Sequence, residues 1–440
     1  MKREFKQLIV VFALVIALVA GGGLGTGGGC LVSGCGKKQP DPTQTTTDPV
    51  WTIPTSGDST SSSETTKSSE TTATNDTSTT ASSTKPVVPP SGDYTNPLTG
   101  LPCKKDVSAK RPIAVIVDNI QFAYPRQSGL TQADILYEGL VAPGITRFMA
   151  VIADYDDLNP ICNLRSGRDY HIFSAFNHDA ILVCHSGAIV ASPSTNELFA
   201  SIAERLYGRY ISSKGKIYYG YVNTKDEARF SQAESGKKYG TIKDYGARKD
   251  LQWDTLFVSS AFKDTLKYGL CTYVKGFSAD RSKSESLSFM TYGTSANMPN
   301  AQTANRVIVS FSLEKATGSK NVEYTYTNGR YYRNQDGSAH KDAVTGEQLS
   351  FKNLITLNTQ VTNYTGTKED PNLADIVVIG SGTGMYISEG KAIEIRWSKS
   401  GETTPLVLTY ADGTPLKLNA GNTCISFVNK ADAASVRVLG

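Results

Sequence analysis

Between residues 43 and 84, 26 of 42 positions are Ser or Thr, and apolar residues are almost absent. A stretch of that composition cannot bury enough surface to offset the entropy of ordering it. It divides the chain: whatever folds must lie after it, and what lies before it must have another purpose. Read as a flexible tether from Gly36 to Gly92, the segment has a root-mean-square reach of about 40 Å.

The part before the tether reads as an export signal. Lys2, Arg3 and Lys6 form a basic start, and "LIVVFALVIALVA" (Leu8 to Ala20) is an unbroken apolar run. The run is shorter than the roughly 20 residues that a bilayer-spanning helix needs, and it suits the apolar core of a signal peptide. "LVSGC" (Leu31 to Cys35) follows a Gly-rich stretch and is similar to a bacterial lipoprotein signal, in which a small residue precedes the lipidated cysteine. Cys35 is the expected lipidation site, with "GGGC" at Cys30 as the weaker competitor. Acyl chains on Cys35 would anchor the protein to the lipid bilayer, because stable anchoring takes two or more chains.

Charge argues against nucleic acid as a partner. Lys2, Arg3, Glu4 and Lys6 supply +2 of the formal net charge of +4, so a processed chain is almost neutral. Without Cys30 and with Cys35 lipidated, Cys103, Cys162, Cys184, Cys271 and Cys424 remain. They have no C-x-x-C or zinc-like spacing and read mostly as small buried residues, with room for one disulfide.

Order begins near Asp93. "RPIAVIVDN" (Arg111 to Asn119), "ADILYEGLV" (Ala133 to Val141), "ITRFMAVIADY" (Ile145 to Tyr155) and "DAILVCHSG" (Asp179 to Gly187) are strand patterns. Pro143 and Gly144 suit a hairpin between the second and third. "SPSTNELFASIAERLYG" reads as a helix, with Ser194 and Glu197 as a capping box and Gly208 as the stop. After about Lys263 the pattern changes to short strands separated by turn pairs such as Asn328-Gly329, Asp336-Gly337 and Asp412-Gly413. The expected organisation is a signal peptide (1–35), a disordered Ser/Thr-rich linker (36–92), an N-terminal α/β-type mixed-sheet domain (93–262) and a mostly antiparallel β domain (263–440). The fold class is α+β.

Several chemistries lack their signatures. There is no G-x-x-x-x-G-K-[ST], no G-x-S-x-G and no H-E-x-x-H. "GSGTG" (Gly380 to Gly384) is followed by "MYISEGKAIEIRW", a strand pattern, whereas a pyrophosphate site needs a helix there; it reads as a glycine-rich hairpin turn. His171 and His178 lie two helical turns apart but have no evident third ligand. No metal, no cofactor and no catalytic set is expected.

Polar residues collect where the first-domain strands end. Asp118 and Asn119 close one strand, and Tyr124, Arg126, Gln127 and Ser128 follow. Glu138 interrupts an apolar run, Arg147 opens the next, and His185 and Ser186 close another. Ligand crevices in open α/β sheets lie beyond the strand C-terminal ends. An internal reading of the same residues pairs Arg147 with Glu138. "NLRSGRDYHIF" (Asn163 to Phe173) adds Arg165, Ser166, Arg168 and Asp169, where Ser166 and Asp169 fit a capping pattern that opens a helix through about Phe176. Asp169 is favourable in a first turn. Arg165 and Arg168 oppose the helix dipole by roughly a few tenths of a kcal/mol, so they need an anion: a carboxylate of the chain, or a bound one.

At these residues a resemblance emerges. "NPLTGLP", "RPIAVIVDN", "PRQSGLTQADILYEGLV", "GITRFMAVI" and "LRSGRDYHI" resemble, in order, the first domain of the YerB-like lipoprotein family. "HKDAVTGEQLSFKNLITL", "VVIGSGTGMYISEGKAIEIRW" and "ADGTPLKLNAGNTCISFV" resemble its second domain. The resemblance implies a two-part domain of unknown function in an exported lipoprotein of mostly Gram-positive bacteria, on the outer face of the cell membrane. One departure stands out: where the family pattern has an arginine followed by Pro-His-Asn, residues 247–260 read "ARKDLQWDTLFVSS". His340, Asp342, Trp397 and Lys399 fall within or beside the matching second-domain blocks. Trp397 reads as a core aromatic, with a carbohydrate platform as the alternative.

The expected function is binding of a cell-envelope component or envelope protein. The site would be a cleft formed by Asp118, Asn119, Arg126, Ser128, Glu138, Arg147, Arg165, Ser166, Arg168, Asp169, His185 and Ser186, and the ligand an anionic cell-wall polymer or a membrane-bound envelope protein. The alternative is an envelope hydrolase or transferase that uses Asp118 or Glu138 as acid or base, with Arg165 and Arg168 as anion clamps.

Overall fold

The apolar runs expected as strands between Arg111 and Gly187 each form one. In the computed structural model, the described residues are 92–108, 110–188, 191–207, 290–293, 298, 300–313, 319–363 and 373–440, together with the backbone of Arg209–Ile211, Ile217–Tyr219 and Val222–Asn223. The expected export signal with Cys35, the Ser/Thr-rich stretch expected to be a tether, and residues 247–260 lie outside them.

The first part contributes β1 (Ile113–Asn119), β2 (Ile135–Ala142), β3 (Ile145–Ile152), α1 (Asp169–Ala175), β4 (Ile181–Cys184), α2 (Phe199–Tyr207) and β5 (Val222–Asn223). The second part begins with β6 (Gln302–Thr303), β7 (Arg306–Phe311), β8 (Lys320–Thr327), β9 (Arg330–Gln335), β10 (Ser338–Ala339) and β11 (Ser350–Phe351). It continues with β12 (Asn353–Asn363), β13 (Ala374–Val377), β14 (Gly380–Ser388), β15 (Lys391–Lys399), β16 (Val407–Tyr410), β17 (Thr423–Asn429) and β18 (Val436–Leu439).

Two sheets account for these strands. A twelve-stranded mixed sheet runs β6-β15-β14-β12-β17-β2-β3-β1-β4-β5, with β13 also on β12 and β16 also on β15. A six-stranded antiparallel sheet runs β10-β9-β8-β7-β18, with β11 also on β9. The larger sheet is continuous across the two parts of the chain. β17 lies parallel to both β12 and β2, so Ile425 stands between Ile355 and Tyr137. A strand flanked by parallel neighbours is covered on both faces, which explains why all seven residues of β17 are buried. The expected α+β class is therefore observed: a mixed sheet followed by an antiparallel one, with few helices.

Local rules account for most connections. β2 and β3 form the expected hairpin, with Gly144 left-handed at the turn. Asn328-Gly329, Asp336-Gly337 and Glu389-Gly390 each supply two consecutive positive φ values, the geometry that matches a two-residue turn to strand twist.

Two local expectations are corrected. "GSGTG" is not a turn but the first half of β14, and the turn is Glu389-Gly390. Its glycines allow close approach, since a Cβ on Gly384 would stand 2.0 Å from the Thr356 carbonyl oxygen and one on Gly382 would stand 2.7 Å from Asn358 O. Ser194 and Glu197 precede α2 rather than capping it. Ser194 Oγ bonds Asp375 Oδ1 at 3.0 Å, and Ser192 N–H donates to Glu197 O. The buried stripe of α2 is Phe199, Ile202, Ala203 and Tyr207, while Leu198 is exposed.

Trp397 is 5% exposed, and its Nε1 donates to Asn358 O at 3.2 Å, so it is a core residue. Cys103, Cys162, Cys184 and Cys424 are all free thiols, and no disulfide occurs among the described residues.

Candidate functional site

β1 and β4 are parallel and paired from Ile113–Val115 to Ile181–Val183, and then they separate. The chain from Asn163 to Gly167 fills the gap. Asp118 N–H donates to Asn163 O at 2.8 Å and Arg165 N–H to Ile116 O at 3.1 Å. On the other side His185 N–H donates to Arg165 O at 3.0 Å, and Gly167 N–H to Ser186 O at 3.0 Å. The wedge fits because Gly167 and Gly187 face each other across a bridge, with the Phe199 ring against both. Ser186 takes a left-handed φ of 69° just beyond the end of β4. Asp118, His185 and Ser186 are thus brought to one end of the sheet, with Arg165 between them.

Alternation along the strands divides the rest of the predicted set in two. In register, Asp118 pairs with Arg147, while Asn119 pairs with Thr146 and Glu138 with Phe148. Neighbours on a strand point to opposite faces. Asp118 and Arg147 therefore lie on one face of the sheet, and Asn119, Thr146 and Glu138 on the other.

The first face carries the arginines. Arg165 Nε meets Asp118 Oδ2 at 3.0 Å. Arg147 Nη1 donates to Ser166 O at 2.5 Å. Arg168 is 6% exposed, and its Nη1 donates to Gly167 O at 3.2 Å. The Nε atoms of Arg147 and Arg168 are buried without a hydrogen-bond partner. Burial first, and then the charges of Arg168 and Arg165, pull Arg147 down to about 9 against the opposing pull of Asp118. A guanidinium keeps its proton in a protein, so the depression records chiefly the burial of Arg147, with Arg168 and Arg165 nearby.

Asp169 contributes to the balance only in part, since Arg168 acts on its carboxylate but other polar groups hold it as well. It is buried beside Asp375 and Ser192, and burial pushes its carboxyl up to about 6. The capping reading of Ser166 is also corrected. Arg168 is the residue at the N-cap, and its N–H donates to His171 Nδ1 at 2.9 Å. Ser166 is drawn away because its carbonyl is held by Arg147.

The opposite face holds a closed ring of hydrogen bonds. Arg333 grips Glu138 through Nη1 (2.8 Å) and Nη2 (3.1 Å), and its Nε donates to His340 Nδ1 at 3.0 Å. That leaves His340 Nε2 to donate to Gln127 Oε1 at 2.8 Å. Gln127 Nε2 donates to Asn119 Oδ1 at 3.0 Å, and Asn119 Nδ2 returns to Glu138 Oε1 at 3.1 Å. Thr146 Oγ1 adds a bond to Glu138 at 2.7 Å. Lys320 closes the edge through Asn119 O, at 2.9 Å, and the Tyr124 hydroxyl. Burial holds His340 well below the usual histidine range, and Arg333 and Lys320 act in the same direction.

Four members of the predicted cleft are closed to solvent. Glu138, Asn119 and Ser128 are 0% exposed and Arg126 is 3% exposed. Ser128 Oγ bonds Pro160 O at 2.7 Å. Glu138 pairs with Arg333 rather than Arg147, because Arg147 points to the other face. With both carboxylate oxygens engaged at zero exposure, Glu138 cannot meet a substrate as acid or base. Sequence reasoning missed Arg333 as its partner, and Gln127 and Lys320 as the groups that complete the network around Asn119. The available signal was the carboxylate inside an apolar run, which demands a buried cation somewhere in the chain.

A model described as "Protein of unknown function (DUF3048) N-terminal domain" matches residues 98–244, and its C-terminal counterpart matches residues 309–425. The chain belongs to the YerB-like DUF3048 family. Among family members, a Bacillus subtilis protein named "Putative lipoprotein YerB" is 27% identical over 353 residues, spanning 77% of this chain and 88% of that one. The crystal structure of YerB protein from Bacillus subtilis superposes with a TM-score of 0.59 at 22% identity, covering 79% of this chain and all of that one. That likeness confirms the fold. The DUF3048 matches take in both faces of the site: Asp118, Glu138, Arg147, Arg165 and Arg168 lie in the N-terminal match, and Lys320, Arg333 and His340 in the C-terminal one.

Proposed function

We propose that this chain is a lipoprotein anchored through Cys35 on the outer face of the membrane. There it binds an anionic cell-envelope component at Arg147, Arg165 and Arg168. The observation that carries this reading is the pair of buried, unpartnered arginine Nε atoms at the wedge. Arg165 pairs with Asp118, Arg165 and Arg168 both bear on the buried Arg147, and Arg147 and Arg168 each keep a buried Nε with no hydrogen-bond partner. A carboxylate or phosphate group answers both needs, since arginine forks match either. The anchored location is supported by the signal-like N-terminus and by the name of the Bacillus subtilis relative.

The test is co-sedimentation of the full chain, in detergent, with cell-wall sacculi that retain or lack their phosphate polymer. Arg165→Ala combined with Arg168→Ala should weaken binding at least tenfold while the circular dichroism spectrum is unchanged, and added salt should weaken wild-type binding. Undiminished binding by the folded double variant removes the proposal. Release of soluble wall fragments that stops in Asp118→Asn would assign a hydrolase instead.

A further inference from the structure

α1 lies over the arginine face of the mixed sheet. Gly139 is in register with Arg147, so the two share that face. The Tyr170 ring fills the room that Gly139 leaves. A Cβ on Gly139 would stand 3.2 Å from Tyr170 Cε2, and the Tyr170 hydroxyl donates to Leu140 O at 3.2 Å. The His171 ring lies 4.1 Å from the Tyr170 ring, centroid to centroid. The imidazole is therefore carried to the face that holds Arg147, on a helix whose N-cap is Arg168.

The proton of this ring has one place to sit. Nδ1 accepts the Arg168 N–H at 2.9 Å and so carries no proton. A neutral imidazole then carries it on Nε2 and donates from there. The ring is neutral because burial, and then the charges of Arg147 and Arg168, hold it well below the usual histidine range. Yet Nε2 is buried with no hydrogen-bond partner, as are the Nε atoms of Arg147 and Arg168. A buried donor without an acceptor is costly. Here three such donors come from residues close enough to act on one another's charge.

The group has a closed end and an open end. His171 is 1% exposed and Arg168 6%, whereas Ser166, His185 and Ser186 are half-buried and the Arg165 side chain is 20% exposed. A ligand that reaches all three donors must enter end-on, past Arg165. A phosphate within a polymer carries a substituent on both sides and would have to thread its chain into the closed end. A terminal phosphate has one substituent, which stays at the opening, and three oxygens for three donors. A carboxylate brings only two oxygens, in one plane.

We propose that His171 Nε2–H is a third donor of the anion site, and that the site takes the terminal phosphate of a monoester. This inference rests on the anion reading of Arg147 and Arg168 and narrows it.

Isothermal titration calorimetry of the full chain in detergent, with methyl phosphate, dimethyl phosphate and acetate as probes, tests the ligand class. Methyl phosphate should bind at least tenfold more tightly than either of the others. His171→Asn keeps an oxygen near the Nδ1 position to accept the Arg168 N–H and removes the Nε2 donor. It should weaken methyl phosphate about tenfold with an unchanged circular dichroism spectrum. His171→Gln, whose amide reaches toward the Nε2 position, should recover part of that loss. Nitrogen NMR of the histidine rings gives a readout that a purely structural role would not move. The resonances missing from His171→Asn should belong to an Nε2–H tautomer, and that proton should shift downfield when methyl phosphate is added to the wild type. Equal affinity for dimethyl phosphate or acetate, an Nε2 proton that ignores methyl phosphate, or no binding of methyl phosphate by a chain that still binds sacculi would each overturn the proposal. Binding lost in the Arg165→Ala, Arg168→Ala variant but undiminished in His171→Asn would leave the arginine site standing and remove His171 from it.

Discussion

Glu138 and Arg333, 195 residues apart, form a two-pronged ion pair with neither side chain exposed to solvent. One comes from the mixed sheet and the other from the antiparallel sheet, so the contact joins the two family domains at a point that water does not reach. Losing one partner strands the other charge. Glu138→Gln or Arg333→Met should each cost about 3–5 kcal/mol of unfolding free energy. Glu138→Leu combined with Arg333→Met should cost less than the sum of the matching single changes. Urea denaturation of the four proteins gives the coupling, and strictly additive effects would falsify the pair as a joint between the sheets.

The polarity of the ring makes His340 a proton acceptor from Arg333 and therefore neutral in the folded protein. Its folded pKa lies well below 6.5, whereas the unfolded chain titrates near 6.5. Below that pH the unfolded state binds the extra proton, so the contribution of His340 to stability is complete above about 6.5 and declines as pH falls. His340→Gln can accept from Arg333 and donate to Gln127 without titrating. It should be less stable than wild type at pH 7.5 by about 1 kcal/mol, and the gap should narrow by pH 5. A gap that stays constant between the two pH values would show that His340 does not contribute in this way.

Gly167 and Gly187 admit the wedge because neither has a side chain to meet Phe199. A Cβ on Gly187 would lie 1.9 Å from Phe199 Cδ1, and one on Gly167 would lie 2.6 Å from Cε2. Gly187→Ala should cost about 1–3 kcal/mol as an overpacking change. Adding Phe199→Leu should make the alanine nearly harmless. Thermal melts of the single and double variants report this, and an equal penalty in both backgrounds would rule out the ring as the obstacle.

Asp342 pins the loop that carries the second domain onto the first. Its carboxylate accepts from Gly129 N–H at 2.6 Å and from Val344 and Thr345 N–H at 3.0 and 3.1 Å. Asp342→Ala leaves a buried amide unpaired and should destabilise by about 1–3 kcal/mol. Hydrogen exchange should accelerate at Gly129 as well as at Val344 and Thr345. Acceleration confined to the loop would mean that the bond across the two parts contributes nothing.

The strands were legible because each combines an apolar run with a turn signal: "RPIAVIVDN" and "DAILVCHSG" end in polar residues, and Asn328-Gly329 stands where a two-residue turn needs it. The arginine segment was legible as a place where cations gather and call for a carboxylate, which Asp118 supplies to Arg165. Two kinds of information were not. Asp118 and Asn119 read as one polar pair, yet consecutive strand residues serve different faces, and only the register with β3 shows which partners each one meets. Glu138 announced a buried charge, but no local pattern connects it with an arginine 195 residues later. The helix starts failed for a smaller reason. Ser166 and Ser194 offer hydroxyls in capping patterns, while Arg147 and Asp375 compete for the same short stretches.

The parallel contact of β17 with β2 sets an order of events. Ile135 waits for Thr423, which leaves the ribosome 288 residues later. Until then one edge of β2 is an open row of amides and carbonyls, at the centre of what becomes the largest sheet, and such an edge invites pairing with another copy. A chain cut short before Thr423 would not be a smaller version of this protein but a sticky one. The order in which the chain emerges therefore keeps that edge open until β17 arrives.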